Sequence, residues 1–263
     1  MRKPVAILVT AFCLAFFLPA LAGPPHKYDN TFVQARKIGS DLYQTLDPKF
    51  QKNIFPEPIQ IEQMEAPIIT PVEGADENKA LCQVKISVGY IDLINRLAHA
   101  KAIDRIQSGY FQKYISNLAS ASDSETLPEP PNVVDDKFWS DDVMNDQASY
   151  FNQIMGMTLA LNLTHHYLGH YTHFAGQMFA SKLVPINTLI APAEWDATVK
   201  AATLNALNTA FGTEGPKALF DAIDKMKTRP TWTAFIVPPT ADLKKLNKQL
   251  KKYEEDFFKG GLK

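Results

Sequence analysis

Cysteine is almost missing from this chain: its 263 residues hold two, Cys13 and Cys82. Cys13 lies inside an opening apolar run, Val5 to Leu18, that follows the basic pair Arg2 and Lys3. Ala20-Leu21-Ala22 closes the run as a small-x-small cleavage site. Residues 1–22 therefore read as a signal peptide, and the chain from Gly23 onward as an exported protein, periplasmic or secreted. Cys13 sits within the run and not at its end, which argues against a lipid anchor. Cys82 is then the one cysteine left, so no internal disulfide is expected and stability must come from the core.

Long apolar runs are missing too. After residue 22 no stretch reaches the roughly 20 apolar residues that a spanning helix needs, so the mature chain has no expected transmembrane segment. Neither sign of charge dominates. The 27 basic residues stand against 28 acidic ones, and without Arg2 and Lys3 the balance is about −3. Nucleic acid is excluded as a partner, because neutralising phosphates takes a basic surface. No internal repeat occurs. The mature 241 residues (263 minus 22), in a chain that is 46% hydrophobic, suffice for one core and one domain, 23–263.

What is present reads as mainly α with a small β-sheet, an α+β chain. Thr31 to Leu46 carries apolar residues at helical spacing. "PEPIQIEQMEAPIITPV" has β-branched residues broken by prolines, which predicts short or edge strands. Cys82, Val84, Ile86 and Val88 alternate as a strand does, and after Gly89 the apolar spacing turns helical. Ser120 to Asp136 is acidic and proline-rich and predicts an exposed loop. Asp146 to about Leu183 is read as one long helix, stopped by Pro185. Pro192 and Glu194 open another, Gly215-Pro216 a shorter one, "RPTWTAFIVPPT" is extended, and Thr240 caps a final amphipathic helix.

Four of the six histidines fall in "NLTHHYLGHYTHF", Asn162 to Phe174. On a helix at about 100° per residue, with His166 as zero, His170 lies near +40°, His173 near −20° and His165 near −100°. His166 and His170 then face one way from adjacent turns and could share a tetrahedral zinc ion, at roughly 2.0–2.1 Å each. Glu194, 24 residues beyond His170, would complete a His-His-Glu set, with Asp196 orienting a ligand histidine. Gly169 inside such a helix costs about 1 kcal/mol against alanine, which close packing of another backbone would explain. The plain alternatives are histidines with ordinary hydrogen-bond partners and a Glu194 that is simply favourable in a first helical turn. His99 reads as a core-edge histidine before it reads as a fourth ligand. Asn162-Leu163-Thr164 fits a glycosylation sequon but lies mid-helix.

His166-Tyr167-Leu168-Gly169-His170, Glu194-Trp195-Asp196, "VKISVGYIDLI" and "FIVPPTADLKKL" together resemble the gluzincin metallopeptidases of the CAAX-prenyl-protease and periplasmic protease-chaperone type. Their H-E-x-G-H, E-A-D and H-P-P-T-x-x-R-I segments stand in this order over roughly Ala80 to Lys248. The resemblance implies a zincin-like fold, one Zn2+ held by His166, His170 and Glu194, and a peptide or unfolded protein as partner. Departures fall on the proton-transfer residues. Tyr167 occupies the place of the general-base glutamate, Val237 that of the last histidine, and Lys244 that of the arginine. A phenol, with a pKa near about 10, donates at neutral pH and does not abstract a proton.

Three readings follow. The first is an exported zinc metalloendopeptidase with a non-standard base. The second is a non-catalytic pseudo-peptidase acting as chaperone or adaptor. The third is a helical protein whose histidines hold another metal, with His173 in place of Glu194.

Overall fold

A computed structural model describes residues 28, 30–76, 79–121, 127–178 and 184–261. The expected signal peptide lies outside these residues, as do the middle of the acidic loop and the end of the expected histidine helix. In chain order the elements are helix α1 (Thr31–Thr45), the short α2 (Pro48–Gln51), strands β1 (Ile54–Glu62), β2 (Ile69–Asp76) and β3 (Lys79–Ser87), then α3 (Val88–Ile103), α4 (Tyr110–Ser120), α5 (Asp141–Tyr167), α6 (His170–Met178), α7 (Pro192–Asn208), α8 (Glu214–Lys225) and α9 (Leu243–Phe258). The fold is mainly helical with one three-stranded sheet. No helix among the described residues is long and apolar enough to cross a membrane.

The sheet has the order β1-β3-β2, with β1 parallel and β2 antiparallel to the central strand. Alternation does what period-2 geometry requires: Cys82, Val84 and Ile86 are buried against the helices, while Gln83 and Lys85 face outward. Ser87 switches strand to helix. Its Oγ accepts from the Tyr90 N–H at 3.0 Å, capping α3, and donates to the Ala66 carbonyl at 2.6 Å. Helix α3 thus begins before Gly89. That glycine is needed for another reason, since a Cβ there would run into the backbone carbonyl of Glu65.

Helix α5 is the central element, packed on α1, α3, α7, α8 and the inner sheet face. Ile154 to His165 are all buried, as expected of a helix surrounded on every side. Its polar side chains are satisfied within the helix. Thr158 Oγ1 donates to the Ile154 carbonyl at 3.0 Å, Asn162 Nδ2 to Thr158 at 2.8 Å, and Thr164 Oγ1 to Ala160 at 2.7 Å. Asn162 is therefore a core amide and not an accessible sequon.

Several sequence expectations are corrected. The described part of the acidic segment is an irregular, largely exposed stretch as expected, but it is held down as a strap. Arg96 Nη1 donates to the Leu127 carbonyl at 2.7 Å, Tyr114 Oη to Pro128 at 3.1 Å and Tyr110 Oη to Pro131 at 2.6 Å, with Leu127 and Pro130 buried. Thr231–Phe235 forms a 3-10 turn instead of an extended segment. Asp242, not Thr240, caps α9, its carboxylate accepting from the Lys245 N–H at 2.9 Å.

The largest correction concerns the histidine helix, which is two helices. Helix α5 ends at Tyr167, Leu168 caps it, and Gly169 follows at φ +83°. The Gly169 N–H bonds to the His166 carbonyl at 2.9 Å, while the Gly169 carbonyl accepts from His173 N–H at 3.1 Å and starts α6. A left-handed glycine just past the last turn is a standard helix stop. Nothing lies within 4 Å of where its Cβ would be, so backbone conformation and not close packing explains this glycine.

Replacement tests the sign. Gly169→Ala is expected to lower stability by about 1–2 kcal/mol, the cost of a side chain in the left-handed region. In a continuous helix the same change would raise stability by about 1 kcal/mol. Urea unfolding of the two proteins distinguishes a fall from a rise.

Candidate functional site

The break at Gly169 rearranges the histidines. On an ideal helix residues 165 and 170, five apart, would point about 140° away from each other. Across the break their Nδ1 atoms lie 3.2 Å apart, with ring centroids at 5.5 Å. His165 is fully buried and its ring lies near Trp195 of α7, at 6.4 Å. Its Nε2 meets Asn187 Oδ1 at 3.1 Å. An amide oxygen only accepts, so Nε2 carries the proton and Nδ1 presents a bare lone pair. His170 then donates Nδ1–H into that lone pair. Thr198 Oγ1 stands 3.5 Å from the same His170 atom and gives its own proton to the Glu194 carbonyl at 2.8 Å.

The expected ligands are distributed differently. The His166 ring lies over Tyr171 at 5.7 Å, turned to another neighbour than His170. Glu194 Oε2 accepts from the Ala191 N–H at 2.7 Å, closing the first turn of α7. Asp196 accepts from Lys245 Nζ of α9 at 3.2 Å and orients no histidine. His173 is exposed, with its ring edge on Phe174. Among the described residues no three His, Cys, Asp or Glu side chains converge as a metal-binding group. The trio His166, His170 and Glu194 therefore does not fit a single zinc ion in this arrangement. Its failure follows from the lost i, i+4 alignment.

Tyr167 is engaged within the fold. Its ring stacks on Phe50 of α2, with centroids 4.3 Å apart and planes 24° apart, and its hydroxyl bonds to Thr164 Oγ1 at 2.8 Å. Burial raises its pKa further above the ordinary phenol value. Val237 is fully buried apolar core. His99 is committed elsewhere, with Nε2–H donated to the Phe138 carbonyl at 2.6 Å and Nδ1 accepting from Tyr28 Oη at 3.1 Å. His99 is fully buried, inside the core and not at its edge.

Sequence reasoning missed Asn187 and Thr198, and it set His165 aside. One signal was available. A polar asparagine directly after Ile186 and before Leu189 is unusual enough in a buried turn to call for a partner, and that partner is His165. Set against protein-family models, curated proteins and solved structures, the chain matches none.

Burial makes the imidazoles hard to charge. The pKa of His165 is pushed down to about 3, first by burial and then by His170; His170 and His166 move the same way, mainly by burial. A histidine whose folded pKa lies below its unfolded value contributes stability that is complete above about pH 6.5 and is lost as pH falls. Between about pH 6.5 and 4.5, above most carboxylate titrations, His165 alone should cost about 1.4 kcal/mol per pH unit. Urea unfolding in EDTA across that range should show the slope, and His165→Gln should flatten it.

Proposed function

We propose that this chain is a non-catalytic binding protein for apolar segments of unfolded exported proteins, an adaptor or chaperone rather than a peptidase. The observation that carries the reading is the placement of Tyr167. The side chain at the general-base position of the resemblance is stacked on Phe50 and bonded to Thr164, and helix α5 ends at this residue. Hydrolysis by the usual zinc-peptidase route, in which a glutamate takes a proton from the metal-bound water, has no support from these residues.

The partner class rests on the surface between α1 and β1. A groove of about 760 Å³ runs between them, with Val33, Pro56, Pro58 and Ile59 as apolar lining and Arg36 and Asp41 at its polar margin. Val33 is 67% exposed and its neighbour Phe32 43%, large apolar groups that nothing in the described fold covers. Strand addition is the less favoured mode. On β2 the Ser87 N–H bond to Ile68 sets the ladder so that residues 71 and 73 direct their backbone outward. Pro71 has no N–H to offer a further strand. A side-chain groove suits an unfolded client better than a blocked edge.

Fluorescence anisotropy with labelled, unfolded casein tests the reading, with gel analysis for fragments. Binding without cleavage is expected, weakened at least about ten-fold by Val33→Asp, a charge in an apolar contact worth about 1.4 kcal/mol or more. EDTA-sensitive fragments would return the peptidase reading, and full binding by Val33→Asp would remove the groove. Tyr167→Glu should gain no hydrolysis. It should instead lose about 2 kcal/mol or more of stability, because a carboxylate replaces a packed ring.

A further inference from the structure

We propose that the outer face of α9 docks this protein peripherally on an anionic phospholipid surface, with Phe258 as its apolar wedge. The site is independent of the α1–β1 groove. Two observations carry it, a one-sided charge and an exposed aromatic ring at its end. With Lys248 taken as zero on a helical wheel, Lys244, Lys245, Lys251 and Lys252 all fall within about 60° of it. Leu243, Leu246 and Leu250 lie within about 40° of the opposite direction and are buried, on the side where α9 meets α7 and α8. All five lysines are exposed, and Lys259, the C-cap residue, extends the row. The mature chain balances at about −3, so a face bearing six lysines is a local reversal of its charge.

Few carboxylates offset that face. Within the arc stands Glu255, 3.9 Å from Lys251, while Glu254 is turned inward to Thr213 and Lys217. Lys245 meets Asp196 at 3.2 Å and Lys244 stands 3.9 Å from Asp224. Lys248, Lys252 and Lys259 form no ion pair among the described residues. Phe258 follows Lys251 by two turns on the same side and is 77% exposed, with the Phe257 ring edge-on to it at 5.6 Å. A solvated charged face gains nothing from a bare ring at its end, whereas a bilayer takes one just below the headgroups. The cations are all lysines. Recognition of a fixed carboxylate on an acidic protein favours the arginine fork, while flexible lysine stems suit a fluid layer of headgroups and keep their amines in water. The leucine face is already used in packing, so α9 cannot insert broadside. Attachment is therefore electrostatic, reversible and sensitive to salt, with one ring entering the bilayer.

The test is vesicle co-sedimentation of the chain from Gly23 onward, with mixed phosphatidylglycerol–phosphatidylcholine vesicles set against pure phosphatidylcholine. Binding to the anionic vesicles alone is expected, and its loss when salt rises to about 0.5 M. A lysine near such a surface adds about five-fold in affinity, so a triple variant with Lys248→Gln, Lys252→Gln and Lys259→Gln should bind about 100-fold more weakly. Those three side chains are exposed, so the variant should keep its fold, which circular dichroism checks. Phe258→Ser should bind about ten-fold more weakly with an unchanged salt dependence. Val33→Asp, in the groove, should bind vesicles as the wild type does, so failure of the client reading leaves this one standing. A wild type left in the supernatant with anionic vesicles overturns the proposal, as does equal binding to phosphatidylcholine. So does wild-type affinity in the triple variant or in Phe258→Ser. If the wild type binds soluble polyglutamate and neither vesicle, the face belongs to an acidic protein and the lipid assignment falls.

Discussion

A residue at φ +83° cannot continue a right-handed helix, and at Gly169 this single backbone angle decides what the histidine segment is. Before it, α5 is buried on all sides from Ile154 to His165 and fixed by contacts with four helices and the sheet. After it, α6 is free to take a new direction, and Tyr171 packs with Ile186, Phe174, Leu189 and Ile190 in a small cluster of its own. The two halves of a five-residue motif thus belong to two packing units. Every distance among His165, His166 and His170 follows from that division.

The same letters support two structures because glycine reports only permission. In "HYLGH" a helical glycine and a left-handed stop are written identically, and the apolar pattern on both sides favoured continuity. Where the sequence carried its own enforcement, the reading held. The alternation of Cys82, Val84 and Ile86 can bury only one face, and both the strand and its burial are observed. The proline-broken strands also lie where expected. What could not be read were decisions made by distant side chains. Three hydroxyl and guanidinium donors from α3 and α4 pull the acidic segment down as a strap, and no local feature of Ser120 to Asp136 announces them. Thr240 was the expected cap of the last helix, and the Lys245 amide instead bonds to Asp242.

Site legibility divides along the same line. Residue types pointed to the right neighbourhood, since Glu194 and His173 do stand near enough to bias His170. Angular reasoning paired His170 with His166 because it assumed one helix axis. On that axis His165 is the least suitable of the four histidines. Across a break it becomes the nearest. Asp196 shows the opposite failure, a carboxylate with a plausible helper role that the fold spends on an exposed ion pair with Lys245.

Burial and protonation then act together at the pair. A fully buried imidazole must stay neutral or lose its desolvation energy, so His165 can keep its place only if each ring nitrogen has a partner of the right polarity. Asn187 supplies an acceptor for Nε2–H, and His170 supplies a donor for Nδ1. If His170 became charged it could still donate through Nδ1, whereas a charged His165 would have two N–H groups and one of them would face a donor. The asymmetry explains why burial and His170 both depress His165, while Glu194 partly sustains charge on His170. It also places the more readily titrated ring on the half-buried side, where solvent and solutes reach the pair, and keeps the inner ring as a fixed acceptor anchored in the core.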